Sequence, residues 1–227
     1  MKFTFTSLGR ITMAISRGGF PRWRETIPLV GLEGPPGVGK TSVLHVLKSM
    51  FRVHQYKRYT TREPRPGENL GDYMFVPLED FRHLTHVGHF MEGTVKPVEV
   101  NGGVYFTACP KKEVWMDPPD GTEMVVALFG KITPTIKENY LPEMTTIYIS
   151  HPDKEEVKKR LRRRCEEHGQ DPELKLERID LFYHLKFEML YDHRVFNAGT
   201  PEQCAREIAE LAGLFDRCLE SRDNAGY

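Results

Sequence analysis

Two kinds of run alternate along the chain. Apolar stretches at residues 27–32 and 124–129 have the length of strands buried on both faces of a sheet, and Thr145 to Ile149 reads as another buried strand. Between them lie longer segments whose apolar residues recur at three- or four-residue steps. The segments after residue 41, at 78–87 and at 153–164 read as helices, as does 174–190 with Leu174, Ile179, Phe182, Leu185 and Met189 as its core stripe. Residues 55–60 and 71–76 read as further strands, and 194–196 as a last short one. A short helix around Glu113 and a Pro118-Pro119-Asp120-Gly121 turn lead into the 124–129 strand. Helix starts are marked by Asp153 with Glu156, and by Thr200-Pro201-Glu202-Gln203 ahead of a final helix running toward Arg222. This alternation predicts a three-layer α/β fold with a mainly parallel sheet.

One strand-to-helix connection carries chemistry. Gly34-Pro35-Pro36-Gly37-Val38-Gly39-Lys40-Thr41 fits the P-loop pattern G-x-x-x-x-G-K-[ST] at every fixed position, with an apolar run before it and a helix continuing from Ser42 after it. Glycines let the backbone fold around a polyphosphate, and amide groups and the helix N-terminus face its charge. Lys40 reaches the outer phosphates, and the Thr41 hydroxyl can ligand Mg²⁺. A nucleotide-binding enzyme is expected, with residues 34–42 holding the nucleotide.

Composition narrows the rest. A chain of 227 residues is most economically one compact domain, and its 32 basic and 32 acidic residues cancel, so bulk charge gives no reason to expect nucleic acid or membrane as a partner. No run of eighteen apolar residues offers a membrane span, and a soluble protein is expected. Cys109, Cys165, Cys204 and Cys218 lack metal-ligand spacing and read as reduced intracellular thiols, and the nine histidines show no ligand motif. Residues 1–24 carry Lys2, Arg10, Arg17, Arg22 and Arg24 without an acid, a composition shared by transit peptides and by disordered extensions. A cytoplasmic protein is expected, with a mitochondrial one the alternative from this segment. The reading divides the chain into an extension at 1–26, a domain at 27–222 and a tail at 223–227.

The middle of the chain is more specific. The prolines of Thr60-Thr61-Arg62-Glu63-Pro64-Arg65-Pro66-Gly67-Glu68 admit no regular helix, and Arg62, Arg65, Tyr73 and Tyr105 supply the cationic forks and hydroxyls a monophosphate needs. Taken with the P-loop, the runs T-T-R-x-P-R-P-G-E, G-D-Y-x-F-V and F-x-E resemble the guanylate kinase family in order and spacing across residues 28–198.

The resemblance implies an ATP- and Mg²⁺-dependent kinase of nucleoside monophosphates, GMP or dGMP above all, serving purine nucleotide metabolism as a monomer or weak homodimer. It implies an acceptor-binding subdomain at about residues 58–108, where Arg62, Arg65, Tyr73 and Tyr105 hold the acceptor phosphate. Glu92 would take the paired donors of guanine, and Thr107 would lie near the base. It implies a lid at about residues 160–178, with Arg160, Arg164 and Arg178 facing phosphates, which reads the basic run 158–164 as catalytic equipment rather than a nucleic-acid patch. Asn197 would lie near the adenine of ATP. The chain departs from the family at Ala127 and Phe129, where two aspartates are usual, and at Arg58, where a serine is. Two rival readings stay open: a thymidylate or deoxynucleoside kinase, and a non-catalytic guanylate-kinase-like module that binds protein partners.

Overall fold

Two sheets organise the chain. In the computed structural model, residues 26–64, 73–100, 103–111, 117–130, 133–167, 171–184 and 187–215 are described. The larger sheet holds β1 (Leu29–Glu33), β2 (Val53–Tyr56), β7 (Met124–Ala127), β8 (Thr145–Ser150) and β9 (His193–Phe196) in the order β2-β7-β1-β8-β9, all parallel. The smaller sheet holds β3 (Arg58–Thr60), β4 (Tyr73–Phe75), β5 (Lys96–Val100) and β6 (Gly103–Ala108) in the order β4-β3-β6-β5, with β3 parallel to β4 and the other pairs antiparallel.

The apolar runs become the larger sheet because parallel strands are covered on both sides: every residue of β1 and β7 is buried. Alternation along β1 sends Val30 and Leu32 to one face, against Val43, Leu44 and Leu47 of α1 (Lys40–Met50) and Ile208 of α6 (Pro201–Leu211). Leu29 faces the other way, in a second cluster with Phe129, Ile136 of α3 (Thr133–Tyr140) and Met144. These are the three expected layers. The small sheet packs Tyr59 and Phe106 against Phe81 of α2 (Leu78–His86) and Phe90. Apart from this, α4 (Lys154–Glu167) and α5 (Glu173–His184) share a core of Val157, Leu161, Cys165, Leu176 and Ile179.

Local signals act as expected at several ends. Thr200 and Gln203 form a reciprocal capping box with Pro201 at the first helical position, and the Asp153 carboxylate accepts from the N–H groups of Glu155 and Glu156. Other expectations are corrected. The 55–60 run is two strands in two sheets with Lys57 between them, because the chain leaves the large sheet there and pairs Arg58 with Tyr73. The 124–129 strand stops at Ala127; Phe129 turns into the core, edge-on to the Tyr56 ring with centroids 5.3 Å apart. The 174–190 helix ends at His184, and a separate 3₁₀ turn, Phe187–Leu190, follows with Met189 79 % exposed rather than in the core stripe. Regular helix in α6 breaks after Leu211, around Gly213 at φ +70°; Leu214 and Phe215 are helical again, and the rest of the stretch expected to run toward Arg222 lies outside the described residues. The expected helix around Glu113 and most of the 1–26 extension lie outside the described residues. Among the described residues, no helix is long and apolar enough to cross a membrane, and Cys109, Cys165 and Cys204 are buried free thiols.

Candidate active site

β1 runs fully buried into the loop at residues 34–39, at the carboxyl end of the sheet and beside the point where the strand order reverses between β7 and β8. The loop can be made only by glycine at two of its positions. A Cβ on Gly34 would stand 2.1 Å from the Ile149 carbonyl oxygen, and one on Gly39, at φ +100°, would stand 2.4 Å from Asn197 Nδ2. Gly39 is also the N-cap of α1 and supplies no side-chain acceptor, so the first turn of the helix opens onto the loop with the Thr41 and Ser42 side chains exposed. Pro35 and Val38 are buried; Pro36 and Gly37 are half-buried.

The Lys40 ammonium donates to the carbonyl oxygens of Gly34 at 2.6 Å and Pro35 at 3.0 Å. It lies 3.9 Å from Glu33 Oε1, and its side chain keeps 24 % of its exposure. Burial pulls the lysine pKa down; Glu33 opposes the shift, while Arg164 and Arg58 add to it. Four charged groups from β1, α1, β3 and α4 thus sense one another at the loop. Glu33 is buried; its Oε1 accepts the Gly34 N–H at 2.9 Å and its Oε2 has no hydrogen-bond partner. Sequence reasoning missed this residue. The available signal was a lone carboxylate closing an apolar strand immediately before the first glycine of the motif.

Asn197, 4 % exposed just beyond β9, donates from Nδ2 to the Val38 carbonyl oxygen at 2.8 Å. In this arrangement its amide braces the loop.

The small sheet turns one face to α2 and presents the other with Arg58, Tyr73, Tyr105 and Thr107. Strand alternation and the registers Arg58↔Tyr73, Thr60↔Thr107 and Val98↔Tyr105 put these residues on a common side. Arg58 Nη2 donates to the Tyr73 hydroxyl at 2.8 Å. Arg62 donates to the Glu63 carbonyl oxygen and lies over the rings of Tyr73 and Phe75, at 5.6 and 5.4 Å from their centroids. Arg65 lies outside the described residues. Glu92 has an exposed side chain in a turn fixed from both sides, by the Met91 N–H on the Cys109 carbonyl oxygen at 2.9 Å and the Tyr140 hydroxyl on its own carbonyl oxygen at 3.2 Å.

Of the arginines expected at the lid, Arg160 and Arg164 stand one turn apart on α4, which packs directly on the loop: a Cβ on Gly37 would meet the Val157 carbonyl oxygen at 3.0 Å. Arg160 is paired to Glu156 at 2.9 Å, Arg164 is exposed and electrostatically felt by Lys40, and Arg178 is exposed on α5. The structure therefore gathers Lys40, Thr41, Arg164 and Asn197 around one loop, and Tyr73, Tyr105 and Thr107 on one sheet with Arg62 lying over its Tyr73 and Phe75 rings. It does not bring the Glu92 carboxylate into contact with them.

No family model matches this chain. The sequence is 34% identical over 150 residues to the guanylate kinase of Trichormus variabilis, which covers 64% of this chain and 68% of that protein. It is 32% identical over 140 residues to the guanylate kinase of Aromatoleum aromaticum, covering 60% of this chain and 64% of that protein. Among solved structures, the fold is similar to the guanylate kinase from Anaplasma phagocytophilum, with a TM-score of 0.53 and 22% identity over 82% of this chain and 84% of that one. A P-loop of this geometry and these sequence relationships together establish that the chain belongs to the guanylate kinase family.

Proposed function

We propose that this protein transfers a phosphoryl group from ATP to a nucleoside monophosphate, with GMP or dGMP as the preferred acceptor. The observation that carries the reading is the loop itself. Lys40 is held on loop carbonyls beside Glu33, next to an α-helix that opens without a cap, and a sheet bearing arginine and tyrosine hydroxyl groups hangs from the adjoining strand.

The chain's own groups suffice for the chemistry expected. Residues 34–42 wrap the donor's polyphosphate, and Lys40 leaves the Gly34 and Pro35 carbonyl oxygens to meet the outer phosphates. Arg62 and Arg65, with the hydroxyls of Tyr73 and Tyr105, hold the acceptor phosphate. Arg160, Arg164 and Arg178 neutralise the charge that spreads over the transferring oxygens. No general base is needed, because the acceptor is already an anionic oxygen. Closure over the site excludes water, which would otherwise accept the phosphoryl group.

Mg²⁺ fits as a passenger of the nucleotide rather than as a tenant of a protein cage. Among the described residues, no group of three His, Cys, Asp or Glu side chains could hold a metal, and β7 ends in Ala127 with Phe129 in the core. The exposed Thr41 hydroxyl would be the protein ligand, with phosphate oxygens and water completing the shell. When bound, the ion supplies charge neutralisation on the outer phosphates.

Guanine specificity is assigned to Glu92 and Thr107. A carboxylate left unpaired by the wrong base costs about 1.5–3 kcal/mol per lost hydrogen bond, so discrimination on the order of 10²-fold is expected. The test is kcat/KM for GMP, dGMP, AMP, CMP, UMP and dTMP with Mg-ATP, in wild type and Glu92→Gln. Guanine nucleotides should lead, and the substitution should narrow the gap. If dTMP or a nucleoside proved the best acceptor and Glu92→Gln left the ranking untouched, the protein would be a thymidylate or deoxynucleoside kinase instead, a reading that Arg58, Ala127 and Phe129 favour.

A further inference from the structure

Among the described residues, Arg58 has the Tyr73 hydroxyl as its side-chain hydrogen-bond partner. It opens β3, one residue after the chain leaves the large sheet, on the same side of the small sheet as Tyr73 and Tyr105. Its guanidinium is half-buried, yet no carboxylate among the described residues lies within salt-bridge distance of it. Burial disfavours the charge there, and the Tyr73 side chain and the more distant Glu33 offset that cost, so the guanidinium stays charged and able to meet an anion.

Its surroundings say what the partner is. Nη2 bonds the Tyr73 hydroxyl at 2.8 Å, and the guanidinium carbon lies 5.3 Å from the centroid of the Tyr73 ring, over which Arg62 also lies. Both guanidinium groups therefore lie against the same phenol ring. Among the described residues, only one of the five N–H groups of Arg58 is engaged, leaving a fork of donors suited to a tetrahedral oxyanion. Beyond Arg58 stands Gly130. The point where a Cβ of Gly130 would sit is 3.9 Å from Arg58 Nη1 and 3.5 Å from Glu33 Oε2, a buried carboxylate oxygen without a hydrogen-bond partner. The two opposite charges face across the glycine without closing into a pair. Arg58 also lies near enough to Lys40 to help hold the lysine pKa down. The base end of the site lies elsewhere: Thr107 pairs with Thr60, two residues further along β3.

We propose that Arg58 is an acceptor-phosphate ligand of this protein, completing with Arg62 and the Tyr73 hydroxyl a cationic seat for the phosphate of the nucleoside monophosphate. The inference rests on the phosphotransferase reading above and adds to it a residue that takes over, for the phosphate, a position where the family resemblance expects a side chain that reads the base.

Equilibrium binding tests this without turnover. GMP, guanosine and ATP are titrated separately into wild type, Arg58→Met, Arg58→Gln and Arg58→Lys by calorimetry, with thermal melts as a check on folding. GMP affinity should fall about tenfold to a hundredfold in Arg58→Met, the loss expected for a charge-assisted pair of hydrogen bonds. Guanosine and ATP affinities should stay within about twofold, and Arg58→Lys should recover part of the loss. Arg58→Gln keeps a donor for Tyr73 without the charge, and should behave like Arg58→Met if charge is what matters. Unchanged GMP affinity in both neutral variants overturns the proposal, as does an equal loss for GMP and guanosine, which would make Arg58 a reader of the base. If Arg58→Met does not fold, the Gln and Lys pair decides the matter by the same comparison. A wild type that binds ATP but not GMP overturns the guanine-acceptor reading itself, whereas wild-type GMP binding that survives loss of the Arg58 charge overturns only this assignment.

Discussion

Asn197→Ala removes a strut from the nucleotide loop, and its cost can be worked from the contacts. The side-chain amide is buried and donates to the Val38 carbonyl oxygen at 2.8 Å, while the backbone N–H of Asn197 remains on Ser150 whatever the side chain. Losing a neutral hydrogen bond costs about 0.5–1.5 kcal/mol net, but stranding a buried carbonyl raises this to about 1–3 kcal/mol. Val38 is fully buried, so the upper part of that range applies and about 2–3 kcal/mol is expected. For a chain of this size the melting temperature should drop by roughly 4–10 °C. Asn197→Asp has the same shape but sets a carboxylate against the carbonyl oxygen, and it should be the less stable of the two. The assay is a thermal melt of the three proteins together with ATP and GTP affinity. A brace acts through the loop, so both nucleotides should weaken by the same factor; a contact to adenine would weaken ATP alone. A melting temperature within about 1 °C of wild type in Asn197→Ala would refute the bracing role.

Four further outcomes are expected. Lys40→Met should lower turnover at saturating ATP by roughly 10²-fold or more, since the ammonium contact strengthens as charge moves onto the transferring group; near-wild-type kcat would remove Lys40 from the mechanism. Phe129→Asp should unfold the domain rather than supply a missing carboxylate, because it puts a charge among Leu29, Tyr56 and Met91; a cost above about 4 kcal/mol in urea titration is expected, and a stable, more active variant would contradict this. His89 is buried with both ring nitrogens unpartnered, and burial holds its pKa below the ordinary value. The unfolded chain therefore binds the proton more readily, so the stability this group contributes is full above about pH 6.5 and is lost as pH falls from there through the folded pKa, at no more than about 1.4 kcal/mol per pH unit. His89→Phe should flatten the change in melting temperature between pH 7.5 and 5.5, and an unaltered slope would assign it to other groups. Deleting residues 1–24 should leave melting and kinetics unchanged, since every site residue named here follows Leu32 in the chain; a large loss of stability would show that the extension packs on the core.

The parts of this molecule legible in the sequence are those specified locally. A P-loop is a run of eight residues, the Thr200 capping box a run of four, and buried parallel strands declare themselves as apolar stretches because neither face meets water. What was not legible depends on pairing between distant segments. The 55–60 run has strand character throughout, and nothing within it says that Tyr56 pairs with Ala127 while Arg58 pairs with Tyr73. Glu33 and Asn197 likewise acquire their parts from neighbours in space: one from Lys40 folding back on its loop, the other from a carbonyl 159 positions earlier. Phe129 reads as a lost aspartate in one dimension and as a core aromatic in three.

The break at Lys57 has a mechanical consequence. A single residue joins the last strand position of one sheet to the first of the other, so it is the tightest pivot available to the small sheet. Displacement in a turning body grows with distance from the axis. Arg58, bonded directly to that pivot, would travel least in any rotation of the small sheet, while residues of β5, at the far edge, would sweep a wider arc than those of β6 such as Tyr105. A guanidinium so close to the fulcrum would be a stationary post, meeting a phosphate in nearly the same place in any orientation of the small sheet.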